Sequence, residues 1–117
     1  MISFNDEQKL YVYNKAVDMR KSIDGLSYLV CEELDSDPQS ASVFIFHNKQ
    51  KDKLKLLYWH KNGFVMLYKR LEKGKFKFKQ HDNESFSISN EQLSWLLAGL
   101  DFMLMNEFKD LNYEHYF

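Results

Sequence analysis

The chain has 117 residues, of which 44% are hydrophobic and 16% aromatic, and its formal net charge is −1. These values predict a single domain over residues 1–117 and exclude a disordered chain, which would need low hydrophobicity. One cysteine excludes an internal disulfide framework, and neither a leader peptide nor a run of eighteen apolar residues is seen, so we expect a bacterial, cytoplasmic protein without a membrane span.

Charge is segregated along the chain. Residues 47–79 contain eleven Lys/Arg and two acids, whereas the residues before and after them are acidic. A basic middle between acidic ends indicates an anionic partner or self-complementary assembly. The alternative is that lysines alternate with apolar residues because one face of an antiparallel sheet is solvated.

The first elements predicted are a short strand and a helix. β-forming residues cluster at 10–13. Asp18 is then placed as the cap of a helix over about 19–34, in which apolar residues recur at spacings of three and four. Gly25 lies inside this helix, where glycine costs about 1 kcal/mol relative to alanine. Such a glycine indicates close packing against another backbone.

A run of strands follows. An antiparallel meander of about four strands is predicted at roughly 43–48, 54–60, 64–72 and 75–79. Asn62-Gly63 is interpreted as the turn of the central hairpin, since both residues tolerate positive φ. Strict alternation of lysine and phenylalanine predicts that the last strand is half-buried. A weaker strand signal covers residues 86–88.

The C-terminal part predicts a second helix. Ser89 and Gln92 have the spacing of a capping box, and a leucine stripe continues from them to about residue 104, so the helix is placed at about 90–104. Gly99 fits either an interior position or the helix end. The acidic, aromatic residues 101–117 are interpreted as a helical extension or an interaction tail. The expected fold is α+β, with the meander packed against both helices.

Side-chain alternation distributes the basic residues over the predicted sheet. Lys53 and Lys55 share one face of their strand, whereas Lys69 and Arg70 lie on opposite faces of theirs. The basic surface is therefore predicted to span an edge or a bend that runs toward residues 73–79.

Signals for catalysis and metal binding are weak. The four histidines are scattered, Cys31 has no partner at zinc-ligand spacing, and neither a nucleophile elbow nor a phosphate loop is present. A carboxylate site built from Asp18, Asp24 and Asp101 has no support from spacing. We expect a protein that is not an enzyme and that uses no cofactor and no metal.

Lysines interleaved with aromatic residues are typical of a β-surface that binds nucleic acid. Lysines neutralise phosphates and exposed rings stack on unpaired bases, although these rings would serve the core if they face the helices. Arg20 and Arg70 are the only arginines, and their forked guanidinium groups make them the expected specific contacts. The predicted nucleic-acid-binding residues are Arg20, Lys21, Lys53, Lys55, Lys69, Arg70, Lys73, Lys75, Lys77 and Lys79.

Three segments carry a family resemblance: residues 18–26 (DMRKSIDGL), 57–64 (LYWHKNGF) and 68–76 (YKRLEKGKF). They resemble TnpB, the accessory protein encoded by the second open reading frame of insertion-sequence 66 elements, and the likeness runs from about residue 10 to residue 101. The family usually has an arginine-rich run after its first central strand. This chain has NKQKDK at 48–53, which keeps the charge without the arginine fork.

The resemblance implies a non-catalytic accessory protein for transposition of an insertion sequence, encoded beside a separate transposase. The charge pattern fits two roles. One is a DNA-binding protein that holds element ends or target DNA through a basic β-surface. The other is an assembly module that binds the transposase without direct DNA contact. The expected partners are DNA, the transposase or another element-encoded protein, and a further copy of this chain.

Overall fold

The computed structural model describes residues 4–78 and 82–99. Its five strands form one sheet in the order β4-β3-β2-β1-β5, accompanied by two helices, so the α+β class is confirmed. The elements in chain order are β1 (Lys9–Tyr13), α1 (Ile23–Glu32), β2 (Ser42–His47), β3 (Lys53–His60), β4 (Gly63–Arg70), β5 (Ser85–Ile88) and α2 (Asn90–Leu97). In the described ranges no helix is long and apolar enough to cross a membrane.

The sheet is not a simple meander. β2, β3 and β4 form the predicted antiparallel hairpins, but β1 lies parallel to β2, and β5 pairs antiparallel with β1 at the other edge. A parallel neighbour needs a crossover connection, and α1 supplies it between β1 and β2. The prediction of four meandering strands is thus corrected, because the strand predicted at 10–13 and the weaker signal at 86–88 both belong to the sheet.

The two helices lie on opposite faces of the sheet, and two separate cores result. On the α2 side, Leu10, Val43 and Leu54 pack with Leu93 and other apolar residues. Alternate positions on the same strands face α1, where Phe44 and Leu57 pack with Leu26. Because β2 is covered on both faces, the whole of its VFIF run is buried.

Helix α1 starts later and ends earlier than predicted. Its N-cap is Ser22, whose side chain makes no capping hydrogen bond. Asp18 instead accepts the Arg20 backbone N–H at 2.9 Å, and the Lys21 N–H donates to the Asp18 carbonyl at 3.0 Å. This local turn occupies the residues that were expected to form the first helical turn. The predicted range 19–34 therefore narrows to Ile23–Glu32.

Gly25 does not mark a close approach to another element. A Cβ built there would lie 3.4 Å from Cβ and Cγ of Lys21, which belongs to the turn just before the helix. The interpretation of this glycine as a backbone-packing site is wrong.

The β3–β4 turn lies one residue earlier than predicted. His60 pairs with Gly63, so Lys61 and Asn62 form the connection. Lys61 has a φ of 55°, and the Asn62 N–H donates to the His60 carbonyl at 2.6 Å, as in a γ-turn. The positive φ expected of the Asn-Gly pair falls on a lysine instead.

The predicted strand at 75–79 is corrected over its described part, since residues 75–78 belong to no strand. After β4 the chain crosses the end of the sheet, and we call residues 71–78 the crossing segment. The Leu71 N–H donates to the Asp52 carbonyl at 2.8 Å, and the Phe76 N–H donates to the Lys51 carbonyl at 2.6 Å. Alternating burial persists because Phe76 enters the α2-side core while its neighbours face solvent.

The capping box of α2 is confirmed. The Ser89 side chain accepts the Gln92 N–H at 3.1 Å, and the Gln92 side chain accepts the Ser89 N–H at 2.9 Å. The regular helix ends at Leu97, followed by Gly99 with a φ of 78°. The described part of the helix predicted over 90–104 is Asn90–Leu97, and the rest of that range beyond residue 99, like the predicted tail at 101–117, lies outside the described residues.

Candidate nucleic-acid interface

Loops from separate parts of the chain meet at one end of the sheet, where β1, β2 and β4 end and β3 and β5 begin. The Val17 N–H donates to the His47 carbonyl at 2.8 Å and joins the loop after β1 to the end of β2. The Asn14 N–H donates to the Glu84 carbonyl at 2.8 Å and joins the same loop to the start of β5. Together with the crossing segment, these bonds fix four segments against one another.

This end of the sheet is strongly cationic. Residues 14–21, 47–53, 70–78 and 82–85 contain ten Lys/Arg and five Asp/Glu. We call this end of the sheet the basic end. Its cations are Lys15, Arg20, Lys21, Lys49, Lys51, Lys53, Arg70, Lys73, Lys75 and Lys77.

Three of the predicted contacts lie on the crossing segment. Lys73, Lys75 and Lys77 are exposed, and none forms a salt bridge with any residue of the described ranges. They are held in place by Phe76, which is 1% exposed and anchors the backbone between them. Lys79, the fourth predicted contact in this run, lies outside the described residues.

Both arginines of the basic end already have acidic partners. Arg20 binds the carboxylate of Asp18 at 2.6 Å, with 92% of the arginine side chain exposed. The hydrogen bonds from Arg20 hold the pKa of Asp18 at about 2, well below its usual range. Arg70 binds Glu72 at 3.0 Å. Both pairs are exposed to solvent, where added salt screens them.

The side chain of Lys55 is buried and contributes to the fold rather than to an open surface. Its residue is 8% exposed, and Nζ donates to the carbonyls of Met19 at 2.7 Å and Lys21 at 2.8 Å. The ring of Tyr68 lies 5.7 Å from the same nitrogen. This ammonium group ties the loop before α1 to the sheet.

The ammonium group of Lys69 is also hydrogen-bonded to a backbone carbonyl. Its Nζ donates to the Leu97 carbonyl at 2.7 Å, at the C-terminus of α2, where a positive charge is favourable. As parity predicted, Lys69 and Arg70 lie on opposite faces of β4. Contact of Lys55 or Lys69 with nucleic acid remains a prediction, but neither is part of the surface proposed below.

The loop between β2 and β3 is organised by Asn48. Its Oδ1 accepts the N–H groups of Asp52 at 3.1 Å and Lys53 at 3.0 Å, and its Nδ2 donates to the Asp52 carboxylate at 2.6 Å. A groove of about 450 Å³ separates this loop from residues 16–19. Lys49 and Lys53 line the groove, so it presents cations on one wall.

Sequence reasoning missed Lys15, Lys49 and Lys51 as members of the basic end. The signal was present for the last two, because both belong to the NKQKDK run within the lysine-rich residues 47–79. Lys15 carried no such signal. The hydrogen bonds from Asn14 to Glu84 and from Val17 to His47 show that its loop reaches this end.

The aromatic side chains are mostly core, as the alternative interpretation expected. Phe76 is fully buried, and Tyr58 and Phe78 pack against the α2-side core. Tyr68 is 52% exposed, but it lies on the α1 face of β4 beside Lys55. The basic end therefore presents charge rather than a platform of rings for base stacking.

His47 lies beneath the basic end as a packed side chain. Its ring contacts that of Phe78 at 4.4 Å, and Nδ1 lies 3.1 Å from the Asn48 carbonyl. Burial lowers the pKa of His47, so the ring is held neutral near pH 7. Within the described ranges, no group of three His, Cys, Asp or Glu side chains is placed to hold a metal ion.

These features define an α+β protein with a lysine-rich loop surface at one end of its sheet. Comparison with known proteins gives its family: the chain matches the model for IS66 Orf2-like proteins over residues 8–107. It therefore belongs to the IS66 Orf2-like family and is an insertion-sequence accessory protein, as the resemblance indicated.

Two relatives come from Sinorhizobium fredii, and both are described as uncharacterized. Protein y4jC is 37% identical over 93 residues, which cover 80% of each chain. Protein y4hO is 28% identical over 101 residues, covering 86% of this chain and 88% of the relative. No solved structure matches the chain.

Proposed function

We propose that this accessory protein binds double-stranded DNA through the basic end of its sheet and that it carries out no catalytic step. The observation that supports this best is the convergence of cations from three separate segments on one loop surface. Lys73, Lys75 and Lys77 contribute most, since they are exposed and have no acidic partner among the described residues. DNA of an insertion sequence in a bacterial cell implies a cytoplasmic location.

The chemistry of the surface favours contact with phosphates over contact with bases. An ammonium group is a compact point charge that neutralises a phosphate, whereas base readout depends on forked or amide side chains. Eight of the ten cations at the basic end are lysines. We therefore expect binding with little sequence preference and a role in holding DNA, while sequence choice falls to another component.

Such binding is steeply salt-dependent because each neutralised phosphate releases condensed counterions. If about six cations of the basic end contact phosphates, affinity falls about a thousandfold between roughly 50 and 200 mM salt. Added salt also weakens the exposed salt bridges of Arg20 and Arg70 and so frees these arginines for DNA. Because exposed salt bridges are weak, this effect offsets only a small part of the loss of DNA affinity.

A salt series with two charge-matched variants tests the proposal. Lys75→Gln with Lys77→Gln removes two cations from the crossing segment. Lys9→Glu changes the net charge by the same two units at an exposed lysine of β1, at the opposite end of the sheet. The first variant is expected to reduce the slope of log affinity against log salt by about two. The control variant is expected to leave the slope unchanged.

The alternative role, an assembly module for the transposase, predicts a different result. In that case the wild-type protein shows no affinity for duplex DNA at low salt but co-purifies with the transposase after nuclease treatment. The crossing-segment variant would then lose the transposase rather than DNA. Equal loss of DNA affinity in both variants would show that only net charge matters, and it would contradict a localised basic end.

A further inference from the structure

Strand β4 leaves one of its sides open. It forms an edge of the sheet and pairs along all eight residues with β3. In the described ranges no strand pairs with its other side. Backbone groups of an antiparallel strand point alternately to either side, so half of those in β4 are directed away from the sheet. β5, at the other edge, has four residues.

Over residues 63–68 the exposed edge lacks the usual devices against pairing. Edge strands are commonly protected by proline, bulges, inward charges or short length. Residues 63–68 (GFVMLY) contain neither proline nor a charged residue, and the register with β3 runs without a bulge. The two charges of β4 are confined to its last positions, Lys69 and Arg70.

Its side chains also favour an apolar partner. Tyr68 is 52% exposed, one of two large hydrophobic side chains exposed to this degree in the described ranges. Val65 is half-buried and belongs to neither core cluster. Phe64, Met66 and Leu67 reach the cores but remain half-buried. Nearly every apolar residue of β4 thus retains surface that a neighbouring strand would cover.

We propose that β4 pairs antiparallel with β4 of a second copy of this chain, so that one sheet continues through both protomers. The twofold axis passes at Met66, which places Phe64 opposite the partner's Tyr68 and Val65 opposite the partner's Leu67. Aromatic pairs and aliphatic pairs directly opposite each other are favourable in antiparallel sheets.

The charges of β4 favour the antiparallel direction. In the antiparallel arrangement the cations of one strand lie opposite the uncharged start of the other, so like charges do not face each other. Parallel pairing in register would instead place Lys69 and Arg70 beside their counterparts, at a cost. An uncharged strand segment has no attraction for DNA. A second copy supplies a matching apolar strand of the same length.

The dimer has a consequence for DNA that rests on the proposed function. Antiparallel pairing reverses the strand direction across the axis, so the two basic ends face opposite ends of the joined sheet. Each dimer would then hold two DNA segments, as bridging requires. The pairing itself involves no basic-end residue other than Arg70, at the end of the strand.

The mass of the DNA-free protein tests the pairing. Light scattering over a concentration series is expected to give a mass approaching twice the 14.1 kDa of the chain. Val65→Lys and Tyr68→Lys each add a charge to the edge and are expected to return the mass to that of the monomer. Tyr28→Lys changes the other exposed tyrosine, on α1, and is expected to remain dimeric. Circular dichroism verifies that all three variants fold.

Cross-linking provides a second readout that does not depend on disrupting the strand. In a Cys31→Ser background, Met66→Cys is expected to form a covalent dimer with a short thiol cross-linker, whereas Tyr28→Cys is not. A wild-type protein that stays monomeric at high concentration would overturn the pairing. Folded β4 variants that dimerise as well as wild type would also overturn it. Failure of DNA binding leaves both measurements unaffected and contradicts only the proposed function.

Discussion

For single residues, the sequence did not reveal whether a given lysine is buried in the fold or exposed on the surface. Lys53 and Lys55 lie two positions apart on the same face of β3. Yet the first stays half-exposed beside Asp52, while the second is buried under the loop before α1. That difference depends on where residues 19–21 run, which is a tertiary feature that the strand pattern does not contain.

Lys55 is expected to stabilise the folded protein. Lys55→Met should lower the free energy of unfolding by about 2 kcal/mol, because the carbonyls of Met19 and Lys21 lose a charged donor. Lys53→Met is the matched control and should change stability by at most about 0.5 kcal/mol, since its ion pair with Asp52 is partly exposed. Urea unfolding of both variants measures the difference. Equal effects would show that the two carbonyl contacts contribute nothing specific.

At the scale of elements, local signals were recovered well and long-range pairing was not. The capping box at Ser89 and Gln92 involves neighbouring residues, so sequence spacing was enough to predict it. The parallel pairing of β1 with β2 depends on the path of α1, and the pairing of β5 with β1 joins distant segments. Neither leaves a periodic signal. The alternation in the crossing segment predicted burial correctly but could not distinguish a strand from an anchored loop.

The crossing segment should depend on its single buried anchor. Phe76→Ala is expected to cost about 3–5 kcal/mol, because the side chain is 1% exposed and fills the α2-side core. Phe78→Ala should cost clearly less, since Phe78 is only half-buried, against the His47 ring. Thermal and urea unfolding compare the two variants. A cost for Phe78→Ala as large as that for Phe76→Ala would contradict the assignment of Phe76 as the anchor.

At the scale of the whole molecule, the candidate site is a loop surface rather than a face of the sheet. Seven of the ten cations at the basic end were among the residues predicted from the sequence, and the parity of Lys69 and Arg70 excluded a single basic face. Contact of these cations with DNA stays a prediction. The sequence could not show that residues 14–21 reach the same end, since hydrogen bonds between loops close that surface. Nor could it show which lysines donate hydrogen bonds from their ammonium groups to backbone carbonyls.

Lysine acetylation with and without bound duplex DNA, followed by mass spectrometry, identifies the lysines that DNA covers. We expect DNA to protect Lys49, Lys73, Lys75 and Lys77, while Lys9 at the opposite end of the sheet reacts equally in both samples. Lys55 should react poorly throughout, because it is buried with both carbonyl contacts in place. Protection centred on Lys9, or DNA-bound protein without protection of the crossing segment, would contradict the basic end as the DNA-binding surface.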